Sequence, residues 1–193
     1  MTTGIVITAA GRGERFIQAG GSGNKLNALL QGKTVFEQTL QQALASGLPV
    51  RVVTRPENLP VQQACAAHQV PCTLLASGGL GESIAAGVAA TADWDGWLIH
   101  LADMPFVSPQ IFVQVAAALS QHSIVRPSFQ HHPGHPVGFT AILRKQLCAL
   151  HGDNGARELL RSHGEVYLLH LDQPGIVQDI DLPSQLVANE SIN

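Results

Sequence analysis

A chain of 193 residues, 45% apolar and 13% charged, is long enough to bury a sizeable core and too apolar to be disordered. Its net charge of −3 gives no overall basic field for nucleic acid, and no apolar run approaches the roughly 18 residues of a membrane span. The absence of a basic-then-apolar leader adds the expectation of a soluble, cytoplasmic protein with neither nucleic acid nor membrane as a partner.

The first apolar run, Ile5-Val6-Ile7-Thr8, reads as a strand buried on both faces. It stops at a glycine-rich basic segment: Arg12, Arg15, Lys25 and Lys33 lie in the first 33 residues, where Glu14 is the only acid. Residues 35–45 place Phe36, Leu40, Ala43 and Leu44 at helical spacing, with Gly47 as a stop signal. A strand at 50–53, a helix at 61–68, a strand at 73–75 and a helix at 81–91 follow. A further strand at 97–101 ends in Ala102-Asp103-Met104-Pro105, a helix spans 109–120, and a strand opens at Ile124-Val125. Beyond these come a Gly/Pro-rich loop at 133–138, a helix at 155–163 and strands at 166–171 and 176–180. The three cysteines, Cys65, Cys72 and Cys148, fit neither a disulfide framework nor a zinc spacing and are expected to be buried thiols.

Repeated strand–helix units with short connections imply an α/β fold, a mostly parallel sheet with helices on both faces. No shift of composition marks a boundary, so residues 1–193 are expected to form a single domain. Ligands of such sheets lie beyond the carboxyl ends of the strands. Three conspicuous features belong there: the Gly/Arg loop, Ser77-Gly78-Gly79 and Asp103.

Two familiar patterns fail on inspection. Gly11-Arg12-Gly13-Glu14-Arg15-Phe16 begins like a dinucleotide fingerprint, but Phe16 replaces the third glycine and no clean helix is expected after it. "NALLQGKT", residues 27–34, mimics a phosphate-binding P-loop, but Asn27 stands where glycine is needed and no strand is expected to lead into it. The first loop retains the physics of a phosphate cradle, with convergent backbone N–H groups and Arg/Lys charge.

An aspartate ending an apolar strand must reach water, a cation or a partner, so Asp103 is a candidate Mg²⁺ ligand beside phosphate oxygens. Asp179 and Asp181, two apart, share a face if extended, although Asp181 also suits a helix cap. His131, His132 and His135 lie in a Pro/Gly loop without a completing ligand, and Ser83 lacks a nucleophile elbow.

Together "TAAGRGERF", Lys25, "GGLGESIAAGV", "LADMP", "PGHPVGF", "GDNGAR" and "DIDLP" resemble the MobA-like nucleotidyltransferases, in the family's order and over nearly the whole chain. The set is most similar to the molybdenum cofactor cytidylyltransferases, whose first loop reads Ala-Ala-Gly, so Ala10 favours CTP over GTP. The resemblance implies a Rossmann-like three-layer fold and transfer of CMP to the phosphate of molybdopterin, with a molybdoenzyme or its chaperone as a possible protein partner. It places Gly11, Arg12, Gly13, Arg15 and Lys25 on the triphosphate. Ala9, Ala10 and Ser83 fall at the base and ribose, and Asp103 with Asp179 or Asp181 falls on Mg²⁺. Gly134, His135 and Arg157, the last in the Asp153–Arg157 segment, fall towards the acceptor. Arg15, Lys25 and Asp103 carry the catalysis. The alternatives are a GTP-using guanylyltransferase, a sugar- or polyol-phosphate cytidylyltransferase, and a nucleotide-binding module without turnover. One departure stands out: "IQAGGSGN" lengthens the loop between Phe16 and Lys25.

Overall fold

A computed structural model describes residues 1–190. In chain order the elements are β1 (Thr3–Ala9), α1 (Glu14–Gln18), β2 (Leu29–Leu30), β3 (Lys33–Thr34), α2 (Val35–Ala45), β4 (Val50–Thr54), α3 (Leu59–Ala67), β5 (Cys72–Leu74) and α4 (Leu80–Ala89). They continue with β6 (Gly96–Leu101), α5 (Pro109–Ala118), β7 (Ile124–Phe129), β8 (His132–Pro133), β9 (Val137–Thr140), α6 (Arg144–Cys148), α7 (Arg157–Ser162), β10 (Tyr167–His170) and α8 (Pro183–Glu190). Short 3-10 turns occur at Lys25–Asn27, Ala141–Leu143 and Pro174–Val177.

The main sheet runs β10-β7-β9-β6-β1-β4-β5, with β8 paired to β7. Alternation along the strands divides the core into two layers. Ile5, Ile7 and Leu98 pack on one face with Phe36, Leu40, Val61, Ile111 and Phe112 from α2, α3 and α5. Val6, Trp97 and Ile99 pack on the other with Ile84, Val88, Leu147 and Leu159 from α4, α6 and α7. This is the expected Rossmann-like three-layer α/β arrangement.

Two helices show how local sequence sets their positions. The N-terminus of α2 is closed by a capping box in which Glu37 N–H donates to Thr34 Oγ1 at 3.1 Å and Thr34 N–H to Glu37 Oε2 at 3.0 Å, a motif whose loss costs about 1 kcal/mol. α4 lies so close on β1 that a Cβ at Gly87 would come within 2.4 Å of Val6 Cγ1. Only glycine permits that approach, and it brings the start of α4 to the edge where β1 ends.

The last third departs from the sequence expectations. The 133–138 loop contains β8 and leads into β9, which inserts antiparallel between β6 and β7 with Phe139 opposite both Trp97 and Ile124. The strand expected at 176–180 is absent: Pro174 starts a 3-10 turn, and the segment then runs extended off the sheet. A five-residue helix, α1, does follow the Gly/Arg motif, although it is too short to be the long helix of a dinucleotide fold. A small hairpin, β2–β3, occupies "NALLQGKT". Of the cysteines only Cys65 is buried; Cys72 is half-buried and Cys148 exposed, and all are free thiols.

From β1 the chain steps to β4 and β5 on one side, then returns to β6 on the other. Such a reversal opens a crevice beyond the carboxyl ends of the two strands that flank it. Ala9 and Leu101 end those strands, so the first loop and Asp103 share that crevice.

Candidate active site

The segment after β1 is held in place along most of its length. Gly13 adopts φ +64° and ψ +34°, a left-handed conformation that turns the chain into α1. Phe16 is buried, and Gly21 lies so close over its ring that a Cβ would approach Phe16 Cε1 to 2.3 Å. Gly21 N–H donates back to Phe16 carbonyl at 2.9 Å. The extra "IQAGGSGN" thus closes on Phe16, and Asn24 then caps the next turn by accepting from Leu26 N–H at 3.0 Å. With Leu26 in the core, Lys25 is presented beside Gly13, against which its stem packs closely.

Lys25 Nζ lies 2.8 Å from Asp103 Oδ2 and 2.8 Å from Asp181 Oδ1. Arg15 adds a more exposed bond of 3.1 Å to Asp181 Oδ2, which is of little energetic weight in water. Asp103, Asp179 and Asp181 each offer an oxygen within 4.8 Å of the others'. The 178–181 segment reaches this point because Ile180 is a core residue whose N–H donates to Asp103 carbonyl at 2.8 Å, leaving both neighbouring aspartates on the outer side. Gln185 Oε1 accepts from Asp181 and Leu182 N–H at 2.7 Å each and so ties this segment to the start of α8.

The charges are strained by burial. Burial raises the Asp103 carboxyl above its ordinary range, only partly opposed by Lys25, and Asp103 Oδ1 has no hydrogen-bond partner among the described residues. Asp179 is raised by burial and then by Asp181 and Asp103. Burial pulls Lys25 down, and its two carboxylate partners more than reverse this. Asp181 ends up lowered, the Lys25 and Arg15 bonds outweighing its burial. Three crowded carboxylates, one with an orphaned buried oxygen, are a donor set suited to a divalent cation.

From this end a crevice of about 750 Å³ runs along the strand termini, within the range of small-molecule sites. Ala9, Ala10, Gly11, Arg12, Gly13, Arg15, Lys25, Ser83, Asp103 and Asp181 all line it. A Cβ at Gly11 would meet nothing within 4 Å, so the loop offers bare backbone to whatever enters. Ser83 Oγ is already donating to Gly79 carbonyl at 3.1 Å, so it forms wall and cannot act as a free nucleophile.

Four predicted residues lie elsewhere. Asp179 belongs to the acidic cluster but not to the crevice wall. Gly134 is a packing position, where a Cβ would fall 2.3 Å from Ile176 carbonyl oxygen. His135 donates its backbone N–H to the same carbonyl at 2.9 Å, and burial, with His100 and Arg126, pushes its imidazole down to about 3. Arg157 is exposed at the start of α7. His131 and His132 are exposed in the β7–β8 turn, and Lys33 is bound to Gln41.

Two contributors were missed in the sequence. Arg55, only 9% exposed, follows β4 at the same edge, and the rule that singled out Asp103, a charge ending an apolar strand, applies to it equally. Glu82 accepts from Gly79 N–H at 2.8 Å and Gly152 N–H at 2.9 Å, and these backbone bonds, that from Gly152 foremost, hold its carboxyl low. It thereby ties Gly152 and Asp153 into the wall; Glu82 gave only the helix-start signal of an acid three residues after Gly79.

Comparison with known proteins gives the family and the fold. Residues 5–166 match the family described as the MobA-like NTP transferase domain. The chain is 31% identical over 194 residues to the purine catabolism protein PucB of Bacillus subtilis, covering 93% of this chain and 92% of that one. Rv0371c of Mycobacterium tuberculosis superposes over 100% of both chains with a TM-score of 0.85 at 23% identity, and it has also been solved as a manganese complex. A 4-diphosphocytidyl-2C-methyl-D-erythritol synthase from Anaerococcus prevotii shares the fold at a TM-score of 0.74 and 17% identity, over 98% of this chain and 97% of that one. With a family match spanning most of its length and a crevice built of glycine backbone, lysine and clustered aspartates, the chain belongs to the MobA-like NTP transferases.

Proposed function

We propose that the protein, acting as a single domain over residues 1–193, is a Mg²⁺-dependent cytidylyltransferase that joins CMP from CTP to the phosphate of molybdopterin. The observation that carries this reading is the juxtaposition, across one crevice, of the Gly11–Gly13 backbone and Lys25 with the Asp103 and Asp181 carboxylates, which Asp179 adjoins. The manganese complex of Rv0371c and the cytidyl product named for the Anaerococcus enzyme support the metal and the nucleotide. The choice of CTP rests on Ala10 in the Ala-Ala-Gly loop.

Asp103 and Asp181, with Asp179 beside them, would hold the cation, which when bound neutralises phosphate charge and orients the α-phosphate. Lys25 and Arg15, paired here with Asp103 and Asp181, would turn with Arg12 to the phosphates when those carboxylates hold a cation. Gly13 brings its backbone N–H against the same oxygens, and the bare Gly11 backbone lies between them and the nucleoside. An oxygen of the acceptor phosphate attacks the α-phosphorus in line. The bond to the β-phosphate breaks, and pyrophosphate leaves with the electron pair. Such transfer depends on positioning and charge stabilisation and needs no protein nucleophile, in keeping with a Ser83 hydroxyl already engaged by Gly79. The nucleoside would lie against Ala9, Ala10 and Ser83. Arg157 is exposed near the Gly152–Asp153 wall, and it meets the acceptor there; Gly134 and His135 serve that side through packing.

Pyrophosphate release from CTP, GTP and ATP, each with Mg²⁺ and with molybdopterin or a polyol phosphate, tests the proposal. CTP with molybdopterin should give the highest turnover. Turnover with a polyol phosphate but none with molybdopterin would transfer the activity to the acceptor class named for the Anaerococcus enzyme. Preference for GTP would make the protein a guanylyltransferase, and CTP binding without turnover would make it a binding module.

A further inference from the structure

The crevice has two unlike ends. At one, Lys25 and Arg15 face the three aspartates; at the other lie Arg55, Gly78 and Gly79. If the cation and phosphates occupy the first, the nucleobase falls towards the second.

Arg55 is a buried guanidinium that enters no ion pair among the described residues. A buried charge without a counter-charge is costly unless its donors are all engaged. Here Nε donates to Ala10 carbonyl at 2.7 Å, Nη1 to Ala76 carbonyl at 3.0 Å and Nη2 to Gly78 carbonyl at 3.2 Å. One rigid planar fork therefore ties the loop after β1 to the loop after β5, which a lysine with a single ammonium could not do.

The consequence follows from peptide geometry. In a trans peptide the carbonyl and the next residue's N–H point to opposite sides, and the peptides after Ala10, Ala76 and Gly78 are all trans. Holding those three carbonyls fixes the N–H groups of Gly11, Ser77 and Gly79. Gly79 N–H is used by Glu82, whereas Gly11 and Ser77 N–H donate to no acceptor among the described residues. Gly11 lines the crevice, and its N–H is left free to meet an acceptor atom of the ligand.

Resting on the nucleotidyltransferase reading above, we propose that Arg55 is a positioning residue for nucleobase selection. It aims the Gly11 N–H at the acceptor edge of a pyrimidine, N3 in cytosine, and so disfavours uracil, whose N3 carries a proton.

The test is titration calorimetry of the full chain with CTP and with UTP in Mg²⁺, comparing wild type with Arg55→Lys and Arg55→Gln. In Arg55→Lys, CTP affinity should fall about 10- to 100-fold. The CTP-to-UTP preference should shrink by at least tenfold, KM should rise more than kcat falls, and Arg55→Gln should be worse than Arg55→Lys. An Arg55→Lys protein that melts like wild type and keeps its CTP affinity and preference would overturn the inference. A purely structural role would lower the melting temperature and leave the preference of the folded fraction unchanged, which also overturns it. On the unmodified chain, ¹⁵N spectra should show Arg55 Nε–H slow to exchange and the Gly11 amide shifting with CTP. An unmoved Gly11 amide, or a rapidly exchanging Arg55 Nε–H, counts against the inference even if the variants do not fold. Failure of wild type to bind any nucleoside triphosphate would instead remove the broader functional reading.

Discussion

The crevice between β1 and β6 and the β7–β8–β9 hairpin both carry glycine, cationic and histidine or aspartate side chains in motif-like clusters, yet folding uses them differently. In the hairpin, packing accounts for the chemistry: Gly134 is small because Ile176 passes over it, and burial holds the half-buried His135 imidazole well below its usual range. In the crevice, packing leaves electrostatics unresolved, with a carboxylate oxygen of Asp103 buried and unpaired and a methyl's space empty at Gly11. A ligand site shows itself where good packing stops short of satisfying the groups it has gathered.

Substitutions should separate the two regions, the largest effect coming from the crevice. Asp103→Asn keeps the shape and removes the charge; kcat should drop by about 10³-fold or more in a pyrophosphate-release assay, with little change in melting temperature. Near-normal turnover would remove Asp103 from the metal site. Lys25→Met should cost about 10²- to 10³-fold in kcat/KM; an unchanged value would pass the phosphate role to Arg12.

Gly134→Ala reverses the pattern. The added methyl collides with Ile176 and should destabilise the fold by about 1–3 kcal/mol in urea denaturation, while activity per folded molecule stays within about twofold. A large loss of kcat without loss of stability would return Gly134 to the catalytic machinery.

A further effect should appear with pH, through stability alone. His100 is fully buried, with Nε2 3.1 Å from Met104 carbonyl oxygen, and burial depresses its imidazole to about 4. Because its ordinary value is near 6.5, the unfolded chain binds a proton that the folded chain refuses between those values. The stabilisation is complete above about pH 6.5 and is lost progressively as pH falls towards 4, amounting to about 3 kcal/mol at the acid end. His100→Gln should flatten that portion of the melting-temperature profile; an unaltered slope would assign the acid sensitivity to other groups.

The parallel part of the fold was legible because its strands are unbroken apolar runs and its helices carry 3.6-residue periodicity. Ile5–Thr8, Trp97–Leu101 and residues 35–45 needed no tertiary information. β9 was hidden because Gly138 and two prolines mark a loop by composition, and only its slot between Trp97 and Ile124 makes the segment a strand. Pro174 likewise begins a turn where apolar alternation suggested extension. Within the site, Asp103 was readable from a charge ending an apolar strand, Lys25 from the basic excess of the first 33 residues and the family resemblance, and Asp181 from its spacing to Asp179. Arg55 followed the same rule but was obscured by Pro56 and the polar residues after it. Glu82 could not be read as a clasp, since its partner Gly152 lies 70 residues away. The long loop before Lys25 looked loose because the ring that orders it, Phe16, is five residues from the glycine it covers.

The central claim is that the crevice takes a nucleoside triphosphate together with a divalent cation held by the aspartate cluster. Titration calorimetry of wild-type protein with CTP, with and without Mg²⁺, and of Asp103→Asn with Mg²⁺, tests it most directly. Binding should strengthen by at least tenfold with Mg²⁺ in the wild type and should lose that gain in Asp103→Asn. Equal affinity in all three titrations would contradict it.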